Sequence, residues 1–148
     1  MVDELFETVL VPIADPADAR QTARAVRSYL DPDSEIIVVH VVPKGEGVPD
    51  KASLEQREEF AENAYRAFLD VLGRGPGLVG RRTLYGRNVG KTIADGSREL
   101  GATAIVFTPR GASRWVKLVT GSVTDNLISN TAVPVLVLPL REDDVAGD

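Results

Sequence analysis

Short β-branched apolar runs alternate along the chain with longer segments of helical periodicity. The first run, "ETVLVPI", precedes "ADPADARQTARAVRSYLD". Four apolar residues recur there at the spacing of one helix face: Ala19, Ala23, Val26 and Leu30. The second run, "EIIVVHVV", is nearly all apolar, as expected for a strand covered on both faces, and a capping box opens the helical segment "SLEQREEFAENAYRAFLDVL" after it. The first half of the chain therefore predicts strand, helix, strand and helix.

The second half continues the alternation. Three further strands are predicted at "GLVGRRTLY", "ATAIVFTP" and "AVPVLVLPL". The segments "VGKTIADGSREL" and "SVTDNLISN" between them have helical periodicity. The residues expected to face inward are Val89, Ile93 and Leu100 in the first helix and Val123, Leu127 and Ile128 in the second.

Strands that alternate with helices specify a parallel sheet, because each crossover is right-handed and covers one face. We therefore expect the α/β class: a single doubly wound domain with a five-stranded parallel sheet and helices on both faces. The domain is expected to span residues 1–141, and residues 142–148 form an acidic tail.

Two strands carry information about the edges of the sheet. The charges of "GRRTLY" favour an exposed edge for the third strand, whereas the last strand has apolar side chains pointing both ways. The last strand is then either interior or an edge that a second subunit covers. We favour the second alternative, because uncovered apolar edges aggregate, and expect a homodimer through Val133, Val135 and Val137.

Composition limits the classes of partner. The chain has 148 residues, enough for one core, and its formal charge of -5 provides no general attraction for nucleic acid or an anionic membrane, so neither partner is expected. Cysteine is absent, and the single His40, within an apolar run, excludes sites that need two histidines and favours a structural role. Without an apolar run of membrane-spanning length or a secretory leader, we expect a cytoplasmic protein.

A long loop after the fourth strand is the strongest candidate for a ligand site, because ligands of open α/β sheets bind beyond the carboxyl ends of the strands. The segment "TPRGASRWVKLVTGS" ends at Ser122, where a helix is expected to start, and free amides at a helix start favour anions. Its cations and glycines are Arg110, Arg114, Lys117, Gly111 and Gly121. In the alternative interpretation, Ser122 and Asp125 are only a capping box.

A second glycine-rich stretch, "GRNVGKT", is similar to a Walker phosphate-binding loop. It has three residues between its glycines, where that loop needs four, and the fourth strand contains no carboxylate to hold magnesium. We therefore expect Asn88 to cap a helix and Lys91 to point to solvent.

The loop "TPRGASRWVKLVTGSV" resembles the signature of the universal stress protein family, whose ATP-binding members show Gly, two residues, Gly, nine residues, then Gly and Ser or Thr. Nine residues separate Gly111 from Gly121 here, and Ser122 follows. The runs "VLVPI", "VVHVV", "YGRNVGKTI" and "AVPVLVLP" add to the resemblance over nearly the whole chain. It implies the adenine nucleotide alpha hydrolase-like fold, strand order 3-2-1-4-5, a crevice between strands one and four, and a dimer edge at strand five.

The resemblance also implies a binding site for ATP, with magnesium or manganese near Ser122 through the phosphates. Val41 would contact adenine through its backbone. The residues expected to hold ribose and phosphates are Gly111, Gly121, Ser122 and Val123, with Arg110 as the main cation. Two positions depart from the family: Thr108 replaces the first glycine, and Ala14 stands where ATP-binding relatives have aspartate. Asp15 could substitute, but its place before Pro16 favours a helix cap.

Three functions follow from this resemblance. The first is an ATP-binding, stress-responsive regulatory dimer. The second is a family member that has lost nucleotide binding and acts as a protein-interaction module, as Ala14 and Thr108 would indicate. The third, slow ATP hydrolysis, is the least favoured, because the loop lacks paired carboxylates and a nearby histidine.

Overall fold

The computed structural model describes residues 4–43, 54–73, 79–108 and 122–139, and the strands and helices alternate as predicted. After a short 3-10 helix (Glu4–Phe6), the elements are β1 (Thr8–Pro12), α1 (Pro16–Tyr29), β2 (Glu35–Pro43), α2 (Leu54–Leu72), β3 (Val79–Gly86), α3 (Val89–Glu99), β4 (Ala104–Phe107), α4 (Ser122–Asn130) and β5 (Val135–Val137). No helix among these residues is long and apolar enough to cross a membrane.

All five strands are parallel, and their order is β3-β2-β1-β4-β5. The central strand is β1, in which Leu10 pairs with Ile37 of β2 on one side and with Ile105 of β4 on the other. The expected order 3-2-1-4-5 is confirmed, as is the position of the charged third strand at an edge.

The core has two layers, one on each face of the sheet. Because side chains alternate along a strand, Val9 and Val11 of β1 face the cluster that contains α1 and α2, whereas Leu10 faces the cluster of α3 and α4. The stripe predicted for α1 is confirmed, since Ala19, Ala23, Val26 and Leu30 are all buried. Helices on both faces make this a doubly wound α/β fold.

The predicted inward face of α4 is partly wrong. Leu127 is buried, but the side chain of Ile128 is 60% exposed. Successive residues of a helix lie about 100° apart, so Ile128 falls outside the face of α4 on which Leu127 packs into the core. The prediction for Val123 concerns a side chain outside the described part of the structure.

The last strand is shorter than predicted. Only Val135–Val137 pair with β4, although the apolar run covers residues 132–140. Proline has no N–H to donate, so Pro134 and Pro139 limit the ladder at both ends. The strand lies at an edge of the sheet, which rules out the interior alternative, and the side chain of Val137 is 48% exposed.

Gly86 ends β3 against helix α3 with no room for a side chain. A Cβ at this position would lie 2.0 Å from Oγ1 of Thr92, which itself donates to the carbonyl of Asn88 at 2.6 Å. We expect Gly86→Ala to lower the free energy of unfolding by about 1–3 kcal/mol, the usual cost of overpacking.

Gly80 of the same strand provides the matched control, because a Cβ there meets no atom within 4 Å. Gly80→Ala should leave the free energy of unfolding unchanged or raise it by up to about 1 kcal/mol. Urea denaturation of both variants checks the pair, and equal midpoints would contradict the packing argument.

Candidate functional site

The ligand crevice of an open α/β sheet is expected where the strand order reverses, and in this sheet that point lies between the carboxyl ends of β1 and β4. Strand β1 continues into α1 on one face, and β4 is followed by α4 on the other. Because each helix runs antiparallel to its strand, the amino ends of both helices lie at this end of the sheet. The first residue of α4 is Ser122, as predicted.

One wall of the crevice is formed by the part of β2 that continues beyond the end of β1. The last pair between β1 and β2 is Pro12 with Val39, whereas β2 continues alongside β3 to the pair of Pro43 with Gly86. Val41 lies in this overhanging part of β2, and its buried side chain belongs to the cluster of α3 and α4. Its backbone is therefore close to the end of β1, near the crevice.

His40 fixes the end of β1 to the overhang of β2. Its Nδ1 donates to the carbonyl oxygen of Ile13 at 3.1 Å, because a carbonyl can only accept. The imidazole ring is buried and tilted against Phe60, with 5.8 Å between the ring centroids. The predicted structural role of this histidine is confirmed.

Asp15 caps helix α1. Its Oδ1 accepts the backbone N–H of Asp18 at 2.8 Å, and Oδ2 of Asp18 accepts the N–H of Ala14 at 2.8 Å in return. Both carboxylates lie in the first turn, where the positive end of the helix dipole stabilises negative charge. The prediction that Asp15 caps the helix ahead of Pro16 is confirmed.

Thr108 directs its side chain towards α1. It lies two residues beyond Val106, which belongs to the cluster of α1 and α2, so the pleat of the strand places both on that face. Its Oγ1 is 2.8 Å from Oγ1 of Thr22, which donates in turn to Oδ1 of Asp18 over a longer 3.5 Å. The side chain is therefore held on the face of the sheet opposite α4.

Besides Val41, which lies in the overhang of β2, the predicted site residues fall into three groups. Ala14, Asp15 and Thr108 are joined through one network, which also contains Asp18 and Thr22. Ser122 and Val123 form the first turn of α4. Arg110, Gly111 and Gly121 lie outside the described residues.

The sequence pattern predicted no site role for Thr22 or Asp18. The sequence does contain one signal, because Asp18 and Thr22 are polar, four residues apart and next to the alanine stripe of α1. Polar residues of such a helix normally face solvent, so a polar pair beside the buried stripe indicates a buried polar contact. Within the described ranges, no group of three His, Asp or Glu side chains could hold a metal ion, and the ion expected near Ser122 stays a prediction.

The Walker-like stretch is a helix start. Oδ1 of Asn88 accepts the N–H of Lys91 at 3.0 Å, and Oγ1 of Thr92 donates to the carbonyl of Asn88. The side chain of Lys91 is exposed. The hydroxyl that a Walker loop would place on magnesium is thus used within the helix, and the predicted capping role of Asn88 is confirmed.

A separate cavity of about 170 Å³ lies at the β3 edge, lined by Val38, Tyr65, Leu69, Gly80 and Arg81. Its cation, Arg81, is 2.7 Å from Oε1 of Glu62. Burial raises the pKa of Tyr65, partly offset by the hydrogen bond with Thr83, so the phenol stays protonated at neutral pH and donates to the carbonyl of Arg82. The two polar side chains of this cavity, Arg81 and Tyr65, are thus already bonded to other protein groups. This favours the crevice over the cavity as the ligand site.

The N-cap of α1, Asp15, is expected to stabilise the fold by a measurable amount. We expect Asp15→Ala to lower the free energy of unfolding by about 0.5–2 kcal/mol, because the N–H of Asp18 loses its acceptor. Asp15→Asn keeps an acceptor oxygen and is the matched control, with a near-native midpoint in urea. If both variants unfolded at the wild-type midpoint, the capping bond would contribute nothing.

The chain is similar to known proteins in sequence pattern and in structure. The model of the universal stress protein family matches residues 5–139. No curated protein sequence matches the chain. Among solved structures, a universal stress protein from Archaeoglobus fulgidus is 22% identical, with 90% of this chain and 93% of that chain covered and a TM-score of 0.60.

Two similar structures contain nucleotides. One is described as a universal stress protein in complex with cAMP; it is 20% identical, with 92% of this chain and 98% of that chain covered and a TM-score of 0.54. The other is the Archaeoglobus fulgidus universal stress protein in complex with dAMP, 18% identical, with 90% and 98% covered and a TM-score of 0.57. At these identities the likeness shows a shared fold.

Proposed function

Because the chain belongs to the universal stress protein family, we propose that it binds ATP in the crevice between β1 and β4 and acts in the cytoplasm as a nucleotide-responsive regulatory dimer. The observation that carries this proposal is the start of α4 at Ser122, at the carboxyl end of the sheet, directly after the nine-residue spacing of Gly111 and Gly121. Unpaired amides at a helix start, approached through glycines, are suited to phosphate oxygens.

The phosphates would lie against the first turn of α4, with Ser122 and Val123 contributing amides and Arg110 a bidentate cation. A magnesium or manganese ion near Ser122 would neutralise the remaining phosphate charge. Adenine would lie beside the β2 overhang, at the backbone of Val41. The complexes of two similar proteins with cAMP and with dAMP support an adenine nucleotide as the ligand class.

The side chain of Thr108 is compatible with this arrangement. The family has glycine at this position, and a side chain on the α4 face would compete with the phosphates. The hydroxyl of Thr108 instead bonds to Thr22 on the α1 face, and the residue is only 3% exposed. The departure from the family therefore does not place bulk on the phosphate side.

The second candidate function is a protein-interaction module without nucleotide, and Ala14 favours it. This residue has a buried methyl group where ATP-binding relatives have a carboxylate, and its N–H is already bonded to Asp18. An adenine or ribose contact would then be weaker or absent. Efficient hydrolysis is not proposed, because His40, the single histidine, is held by Ile13 and Phe60.

The dimer would form through the β5 edge. Only three residues of β5 pair with β4, and the other edge of β5 is open within the described sheet. Val137 and Ile128 expose large apolar side chains on β5 and on the adjoining α4. Covering this edge with the same edge of a second copy would remove both apolar groups and the unpaired backbone from water.

Equilibrium dialysis with labelled ATP, with and without Mg²⁺, tests the proposal. Binding at micromolar to millimolar nucleotide is the expected result, and the absence of binding at millimolar ATP would favour the interaction module. Native mass spectrometry of the purified protein reports co-purified nucleotide and subunit number together. A monomer at micromolar protein concentration would contradict the dimer.

A further inference from the structure

One chain of hydrogen bonds connects both strands of the crevice to a single helix. The N–H of Ala14, just beyond β1, donates to Asp18; Thr22, one turn further along α1, bonds to Thr108, just beyond β4. Asp18 and Thr22 are themselves in contact at 3.5 Å. We call these four residues, Ala14, Asp18, Thr22 and Thr108, the crevice relay. Helix α1 therefore spans the two strand ends between which the ligand is proposed to bind.

The direction of the relay follows from its chemistry. The hydroxyl of Thr22 donates to Oδ1 of Asp18 over 3.5 Å, and a hydroxyl has only one hydrogen to donate. The oxygen of Thr22 then accepts from the hydroxyl of Thr108 at 2.8 Å. The side chains of Asp18, Thr22 and Thr108 are all buried. Removing the hydroxyl of Thr22 would therefore leave the hydroxyl of Thr108 without its acceptor, and water could not easily replace it.

Most of the other buried residues of α1 are apolar, namely alanines and Val26, and Gln21 is the further buried polar residue. Apolar contacts are less directional than hydrogen bonds. The hydrogen bond between two buried hydroxyls, in contrast, forms only over a narrow range of distance and angle. The last pair of β1 with β4 is Leu10 with Ile105, so the relay is a directional contact that joins the two strand ends beyond this ladder.

We infer that Thr22 is a positioning residue, which keeps the ends of β1 and β4 at the separation that admits the nucleotide. The inference rests on the proposed function for the identity of the ligand. The residue makes no contact with the ligand itself; it acts through Thr108 and Asp18. Loss of one buried hydrogen bond of this kind is expected to weaken nucleotide binding by roughly tenfold.

Three variants test the inference. Thr22→Val removes the hydroxyl and keeps the shape of the side chain, and Thr22→Ser keeps the hydroxyl. Thr83→Val is the matched control, because Thr83 makes a similar 2.9 Å bond with the phenol of Tyr65 on the edge strand β3, away from the crevice. For each protein we would measure ATP affinity and amide hydrogen exchange at Ala14 and Leu138. The N–H of Ala14 donates to Asp18 just beyond β1, and the N–H of Leu138 donates to the carbonyl of Phe107, the last residue of β4.

The expected result is a roughly tenfold weaker affinity in Thr22→Val, near-native affinity in Thr22→Ser and Thr83→Val, and faster exchange at Ala14 and Leu138 in Thr22→Val alone. Wild-type affinity in Thr22→Val would overturn the inference. If the wild-type protein bound no nucleotide, the proposed function would fail, and exchange would still decide the positioning role. Unchanged exchange in Thr22→Val overturns that role, and faster exchange supports it.

Discussion

Replacement of Gly121 by valine is expected to abolish nucleotide binding while the fold stays intact. Gly121 directly precedes the first residue of α4, where the phosphates are proposed to meet the free amides of the helix. Glycine lets a phosphate approach the backbone closely, and the two methyl groups of valine would occupy that space. The substitution leaves every residue of the two described core clusters unchanged, so little stability should be lost.

Thermal unfolding with and without ATP measures this effect. A ligand at 100 times its dissociation constant stabilises the native state by about 2.7 kcal/mol, and this increment should vanish in Gly121→Val. Gly80→Val is the matched control, because a Cβ at Gly80 meets no atom within 4 Å and the residue lies on β3, across the sheet from β4 and β5. An ATP-dependent shift that survives in Gly121→Val would show that the phosphates bind elsewhere.

Phe68→Ala is expected to lower the free energy of unfolding by about 3–5 kcal/mol, more than the glycine and cap substitutions. Phe68 is fully buried in the cluster between α1, α2 and the sheet, and it is the largest of the fully buried side chains in the described part of the chain. Its truncation removes a whole ring and leaves a cavity between packed layers that can collapse only partly. Since domains are stable by only about 5–15 kcal/mol, much of the native population could be lost at physiological temperature.

The neighbouring Leu69 is the control for this prediction. It lies on the same helix, but its side chain is 41% exposed, so Leu69→Ala should cost much less, about 1 kcal/mol or below. Urea denaturation of the two variants, with equal slopes, gives the comparison. Similar midpoints would mean that the α2 layer of the core is not packed as tightly as the burial of Phe68 indicates.

The sequence predicted the fold well, because local patterns determine it. Continuous apolar runs mark strands covered on both faces, and the alanine stripe of α1 marks the buried side of a helix. The caps Asp15 and Asn88 were also predictable, since a capping bond joins residues only three apart. The strand order came from the family resemblance, because neighbouring strands of a parallel sheet need not be adjacent in the sequence.

The errors and omissions arose where tertiary position decides the outcome. Ile128 fits the helical periodicity but is exposed, because periodicity does not report how wide the buried face of a helix is. The bond of Thr22 with Thr108 joins residues 86 apart in the chain, and neither threonine has a local pattern that marks a partner. The roles of Gly111, Gly121 and Ser122 rest on spacing, so their binding of phosphate stays a prediction.

The central position of β1 has a consequence for how this protein is synthesised. Its Leu10 pairs first with Ile37 and later with Ile105, so one side of the strand is completed by a segment that leaves the ribosome much later than β1 itself. Until β4 emerges, the nascent chain carries a largely apolar strand with one unpaired edge, the kind of surface that molecular chaperones bind and that promotes misassembly between unfinished chains.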